Sequence, residues 1–306
     1  MFNLFTIIMS DNNLDYYKSQ SRFTDPGKFV HLFEDLPTSI NNLVKVVQGI
    51  VIDKDLIELY GESISDEQKN DTESRYVETI LKIVINRNSS PVFVERPPKE
   101  RFVGSCRDYA VVLCSMLRHI NIPARLRCGF DDYFNIKEDF FDDHWVCEYW
   151  SNEKNRWLLV DANVDEVVKQ KYNIATNILD LPRDRFIVGG KAWQMCRAGK
   201  ANPSKFGVSS IDIKGIWFVR GSVVRDLASL NKFESLPWEY WGISDKDPED
   251  IPEEDLKLLD KVAQLISGEI DLEKVKYTYK DKSFKPSEEI KSYTHFGGLK
   301  IIEIED

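Results

Sequence analysis

Cysteine is sparse: five residues (Cys106, Cys114, Cys128, Cys147 and Cys196), an odd number with no C-x-x-C pair among them. That argues against a disulfide framework or a zinc ribbon and suits a reducing compartment, so a cytoplasmic location is expected. The chain has no Gly-rich phosphate loop, no H-E-x-x-H and no EF-hand spacing. Its acidic run from Asp245 to Asp255 lacks the ordered ligands and central glycine of a calcium loop, and reads as a solvated linker. No cofactor and no metal are expected. Basic charge is in the minority, with 41 Lys and Arg against 51 Asp and Glu and a formal net charge of −10. Nothing global therefore attracts nucleic acid or an anionic membrane surface. Long apolar runs are missing too. The opening MFNLFTIIMS is too short to span a bilayer, with no basic lead and no small-residue cleavage site. It reads as an uncleaved or mis-started leader, with Met9 as an alternative start.

The 306 residues, 42% of them hydrophobic, can bury the core of one large domain or two ordinary ones. Residues 1–22 are expected to be a flexible N-terminal segment, polar and loose from residue 10. Apolar residues at helical spacing (Leu43, Val46, Val47, Ile50, Val51) predict a helix over about 36–59, and Val77, Ile80, Leu81 and Val84 predict another over about 71–86. Pro97 and Pro98 mark a connector. A helix is expected from Cys106 to near Asn121, then strands over 124–130, 144–150 and 156–160. KGIWFVRG reads as a strand. After the acidic linker come an amphipathic helix (Leu256, Leu259, Val262, Ala263, Ile266) and a polar tail. The expected division is 1–22, 23–244 and 245–306.

The stretch GSCRDYAVVLCSMLRH carries the chemistry. Ser105 and Asp108 form an S-x-x-D capping box, which makes Ser105 the N-cap and Cys106 the first helical residue. There the helix macrodipole contributes about half a positive charge, which favours the thiolate over a thiol that ordinarily titrates near ~8.5. Cys114, among Val112, Leu113 and Met116, reads as a small buried hydrophobe. The Cys106 N–H is a candidate oxyanion donor; Gln48, a polar residue in an apolar helix, is a second whose expected place is the surface. Of four histidines, His31, His119 and His295 read as surface or capping residues. His144, in FDDHWVCEYW, starts an aromatic-rich strand, and WSNEKNRWLLVDAN reads as a turn and a returning strand. A loop closed by Trp150 and Asn155 would set His144 opposite Asp161, with Cβ atoms ~5 Å apart. Asp161 would then hold the imidazole as the third member of a triad. Asn163 and Asp165 are the substitutes if the loop is longer.

In order, GSCRDYA, IPARLRCGF, DDHWVCEYW and RWLLVDAN resemble the core of the transglutaminase-like superfamily, most closely over residues 100–165. The flanking segments resemble bacterial proteins of this length described only as transglutaminase-like. The resemblance implies an α+β fold with a papain-like core: a nucleophile helix packed on an antiparallel sheet, with extra N-terminal helices and a C-terminal extension. It puts Cys106 on the nucleophile, His144 on the base and Asp161 on the orienting acid. The implied activity is acyl transfer or amide hydrolysis through an acyl-thioester, on a peptide, protein or small amide, within a catalytic domain over 23–244. The competing class is a binding module that keeps the fold and uses the cleft for recognition. Two further features stand out. Six basic residues (Arg183, Arg185, Lys191, Arg197, Lys200, Lys205) face one acid, Asp184, between 183 and 205. They guide an anionic substrate or form a solvated face. Trp238, Tyr240 and Trp241 line a cleft or fill a core.

Overall fold

In the computed structural model residues 13–134, 136–247 and 251–304 are described. The expected leader and residues 248–250 of the acidic run fall outside them. The fold is α+β. The chain divides into two compact units, one made of Met1–Leu126, Val146–Gln170 and Asn177–Leu181, the other of Arg127–Trp145, Lys171–Thr176 and Pro182–Asp306.

In the first unit the polar stretch expected to be loose contains a helical turn over 13–18. Tyr17 holds it, fully buried and edge-on to Trp157 at 5.6 Å. Helix α1 (Ile40–Ile50) begins behind Ser39, whose side chain accepts from Asn42 N, and buries Leu43, Val46, Val47 and Ile50. It stops earlier than its periodicity predicts. Val51–Asp53 becomes strand β1, whose three residues are buried and pair in parallel with β2 (Phe102–Gly104). Helix α2 (Val77–Arg87) buries the expected stripe. Helix α3 (Cys106–His119) is buried from Arg107 to Arg118, so it is a core helix rather than an amphipathic surface one. Strands β3 (Ala124–Asp131) and β4 (Phe141–Ser151) each run through the point where the units divide. Strand β5 (Arg156–Val160) pairs antiparallel with β4 from Ser151↔Arg156 to Cys147↔Val160.

That register corrects the hairpin arithmetic. The turn is 152–155, closed by Ser151 and Arg156, not by Trp150 and Asn155. Asn155 sits at φ 49°, a left-handed conformation that asparagine tolerates and a ladder residue does not adopt. Lys154 N donates to Ser151 Oγ at 3.2 Å and completes the turn. The ladder ends at Val160, and the next backbone N–H, that of Asp161, goes instead to Ile178 O at 2.9 Å. The hairpin therefore does not pair His144 with Asp161. Helix α4 (Glu166–Tyr172) follows.

In the second unit β6 (Phe186–Val188), β3, β4, β7 (Phe206–Val208) and β8 (Ile213–Lys214) are neighbours in that order. The β3–β6 and β7–β8 pairs are antiparallel, and β4–β7 is parallel, so the sheet is mixed. KGIWFVRG is not a strand: it opens helix α6 (Ile216–Leu230), buried continuously from Phe218 to Leu230. A helix that is buried on every side loses the 3.6-residue signal that would distinguish it from a buried strand. Helices α5 (Gly189–Arg197), α6, α7 (Glu253–Ser267) and α8 (Leu272–Tyr279) pack together. A Cβ on Gly190 would lie 2.7 Å from Ala263 O, so α5 and α7 approach closely only because that residue is glycine. Part of the polar tail is strand: β10 (Glu289–Thr294) and β11 (Gly298–Glu303) form an antiparallel sheet with β9 (Glu239–Tyr240).

Candidate active site

Cys106 occupies the first position of α3, as its capping sequence predicts. The backbone N–H and the hydroxyl of Ser105 both donate to Asp108 Oδ2, at 2.8 and 3.2 Å. Arg107 donates to Asp108 Oδ1 at 3.0 Å and to Arg75 O at 2.7 Å, with both charged side chains fully buried. Burial pushes the Asp108 carboxyl up while Arg107 pulls it down. Gly104 is needed here, since a Cβ would fall 2.8 Å from Asp108 Oδ2. From Arg107 to Arg118 the helix is inside, and only its ends emerge: His119 at the C-terminus and the half-buried Cys106 at the N-terminus.

Asp161, 1% exposed, follows β5 in the same unit. Its Oδ1 accepts from Asn163 N at 2.8 Å. Asn163 in turn donates its side-chain amide to Asp53 Oδ2 at 2.9 Å. Gln48, expected at the surface, donates to Ala162 O and Val164 O, both at 3.2 Å, and so anchors the loop that carries Asp161. Asp165 accepts from Tyr60 OH at 2.7 Å and from Val168 N at 2.9 Å, which makes it a loop anchor and an N-terminal helix acceptor.

His144 belongs to the second unit and is 3% exposed. Phe134, Tyr133 and Phe186 surround its ring, with centroids at 5.4, 6.0 and 6.4 Å. Its Nδ1 lies 3.9 Å from Asp131 Oδ2, while Asp131 Oδ1 accepts from Phe134 N at 3.0 Å. The sequence reading missed Asp131. The only signal was its place at the end of β3, a strand adjacent to β4, and the strand register that would have exploited it was not legible. Asp142, bonded to Ser209, and Asp143 also feel the charge of His144. Burial pushes Asp143 up to about 6, against the pull of Arg225.

The other thiols behave as packing residues. Cys114, Cys128 and Cys147 are fully buried, and burial holds the thiols of Cys128 and Cys147 well above their ordinary range. Cys196 is half-buried and pushed up to about 11. In the basic cluster Arg185, Arg197 and Lys205 pair with Asp132, Asp260 and Asp139, while Arg183 and Lys191 line a cleft of about 380 Å³. Trp241 is a core residue whose Nε1 donates to Phe284 O, and Tyr240 stacks under Arg225. Among the described residues no group of three His, Cys, Asp or Glu side chains is arranged to hold a metal ion, and no helix is long and apolar enough to cross a membrane.

Residues 65–162 match the core profile of the Transglutaminase-like superfamily, a segment that contains Cys106, His144 and Asp161. No curated protein matches the chain. A crystal structure of a candidate cysteine protease from Cytophaga hutchinsonii aligns at 16% identity over 60% of this chain and 47% of that one, with a TM-score of 0.36. The chain thus spans about half of that protein, in a superposition too loose to carry residue roles across.

Proposed function

Starting from a transglutaminase-like core at residues 65–162, we propose that this protein is a cysteine-dependent enzyme of amide or acyl chemistry. Cys106 is the nucleophile, His144 the general base and acid, and Asp161 the group that orients the imidazole. The Cys106 thiolate adds to the substrate carbonyl: a C–S bond forms, and the carbonyl π pair moves onto oxygen at the positive end of α3. Collapse expels the amine, which takes a proton from the His144 imidazolium and leaves an acyl-thioester. Water or a second amine then gives its proton to His144, adds to the thioester and releases the thiolate. Water completes a hydrolysis, and an amine completes a transfer. The substrate class is a peptide, a protein or a small amide.

One observation carries this reading: α3 is buried from Arg107 to Arg118, and the residue emerging at its positive end is the thiol of Cys106. The other half-buried thiol, Cys196, is held in its protonated form by burial. Brief treatment of native protein with iodoacetamide at mildly acidic pH, followed by peptide mass spectrometry, tests the assignment without a substrate. Cys106 should be alkylated before the other four cysteines, and His144→Ala should slow that reaction roughly tenfold or more, since it removes the partner of the ion pair. Equal labelling of Cys106 and Cys196, or labelling indifferent to His144, would return the protein to the class of binding modules.

A further inference from the structure

The loop after β5 is fastened at several points within the first unit. Asp161 N donates to Ile178 O, Gln48 holds the carbonyls of Ala162 and Val164, and Tyr60 holds Asp165. Asn163 sits at its centre and faces two ways. Its backbone N–H donates to Asp161 Oδ1, and its Nδ2 donates to Asp53 Oδ2. Asp53 Oδ1 accepts from Asp55 N at 2.8 Å, so both Asp53 oxygens act as acceptors, as a carboxylate requires. The carbonyl of the same amide, Asn163 Oδ1, is buried with no hydrogen-bond partner among the described residues. An orphaned acceptor of that kind is costly, and here one remedy lies within reach. A protonated Asp53 can donate to Asn163 Oδ1 once the amide turns over.

We propose that Asp53 is a positioning residue for Asp161, acting through Asn163, and that its protonation turns the Asn163 amide and releases the geometry of the Asp161 carboxylate. The inference rests on Asp161 being the group that orients His144. The groups facing Asp53 are Lys54 and Asp55 beside it, Asn163 from the loop, Tyr60, and Tyr109 of α3, which donates to Val51 O; Asp165 and Arg101 act on the two tyrosines. Burial first, and then the Asp55 charge, pushes Asp53 up to about 6, while Lys54 opposes them. The positioning therefore changes just below neutrality.

The experiment compares rates of Cys106 alkylation by iodoacetamide from about pH 5 to about pH 8 in the wild type, Asp53→Asn, Asn163→Ala and the double variant, with melting curves for each. Asp53→Asn imitates the protonated acid. It should be slower than wild type by roughly tenfold above neutrality and equal to it near the acid end, because the wild type is then protonated as well. The ratio of the two rates should change with a midpoint of about 6. A merely structural role would lower the rate by one factor at every pH. Asn163→Ala should match the loss above neutrality, and the double variant should add nothing to it. A ratio independent of pH, or losses that multiply, overturns the inference and leaves Cys106 as nucleophile. Wild-type labelling that does not prefer Cys106 overturns both. If the variants do not fold, the wild type alone decides by NMR: the side-chain amide signals of Asn163 should move with a midpoint of about 6, and signals flat across that range would refute the coupling.

Discussion

Hydrogen bonds fix the helix end around Cys106 in the first unit, and rings and carboxylates surround His144 in the second. Around the thiol, Ser105, Asp108, Arg107 and Arg75 form a chain of donors and acceptors, each with a fixed direction. Around the imidazole, Phe134, Tyr133 and Phe186 supply walls, while Asp131, Asp142 and Asp143 supply negative charge, Asp131 from 3.9 Å. The first arrangement fixes a position and tolerates little change. The second surrounds the ring with apolar walls and a negative field, which favours the imidazolium. In the proposed cycle that division is useful, since the nucleophile must stay still and the base must serve two partners in turn.

The largest expected effect separates the two carboxylates. Asp161→Asn should lower turnover of an amide substrate by roughly 10²- to 10⁴-fold with the fold retained; the same change in the serine-protease triad costs about 10⁴. Asp131→Asn should lower it by less than about tenfold, because a 3.9 Å separation is beyond a hydrogen bond and the amide oxygen of the variant would still accept from Phe134 N. The opposite order would make Asp131 the orienting group and remove Asp161 from the mechanism.

The same contrast explains what was legible in the sequence. The Cys106 end is local: a capping box spans four residues, and Gly104 stands beside it, so the helix start and the thiol's position could be read directly. The surroundings of His144 come from Asp131, Tyr133, Phe134 and Phe186, which meet only through strand register. Register was where the reading failed, because one left-handed residue, Asn155, moved the turn. The role of Gln48 was hidden for a related reason. A polar residue in an apolar stripe reads as surface until the carbonyls it meets, far along the chain, are known. Helix α6 was misread because burial on every side erases its period.

Cutting one buried ion pair in each unit sharpens the comparison further. Asp226 accepts two bonds from Arg127 and one from Cys128 N, so Asp226→Ala leaves a buried guanidinium and a backbone donor without that partner. The expected loss is about 3–5 kcal/mol. Asp108→Ala does the same to Arg107 and also removes one half of the capping box of α3, for a similar or slightly larger loss. Denaturant titration measures both. Only the second should also slow Cys106 alkylation, because it alone loosens the helix end that carries the thiol. Equal slowing in both variants would mean that the thiol's reactivity follows global stability rather than its cap.

The smallest effect compares Asp53 with Asp143, one buried carboxyl in each unit, both pushed up to about 6 chiefly by burial. In the unfolded chain each titrates near about 3.9. Between those values the folded protein holds protons that the unfolded chain has released, so stability falls as pH rises through the window and levels off above it. Acidifying from about pH 7 to about pH 5 should therefore raise the melting temperature by a few degrees, since two such groups together add on the order of 1–3 kcal/mol across that range. Asp71, Asp108, Asp132 and Asp142 are raised by burial too and act in the same direction. Of the carboxyls lowered by partners, Asp66 and Asp212 are exposed, so solvent weakens their opposing effect, while Asp180 and Asp271 are half-buried and offset part of the gain. Asp53→Asn and Asp143→Asn each remove one charge that burial disfavours, so each should flatten the pH slope and raise the melting temperature near neutrality. Both should also change the pH dependence of Cys106 alkylation, Asp53→Asn through Asn163 and Asp143→Asn through the charge it places on His144, and only the first change should be matched by Asn163→Ala. A melting temperature that falls on mild acidification in the wild type, with both variants following it, would show that the two buried carboxyls are ionised without penalty and that neither unit stores protonation energy.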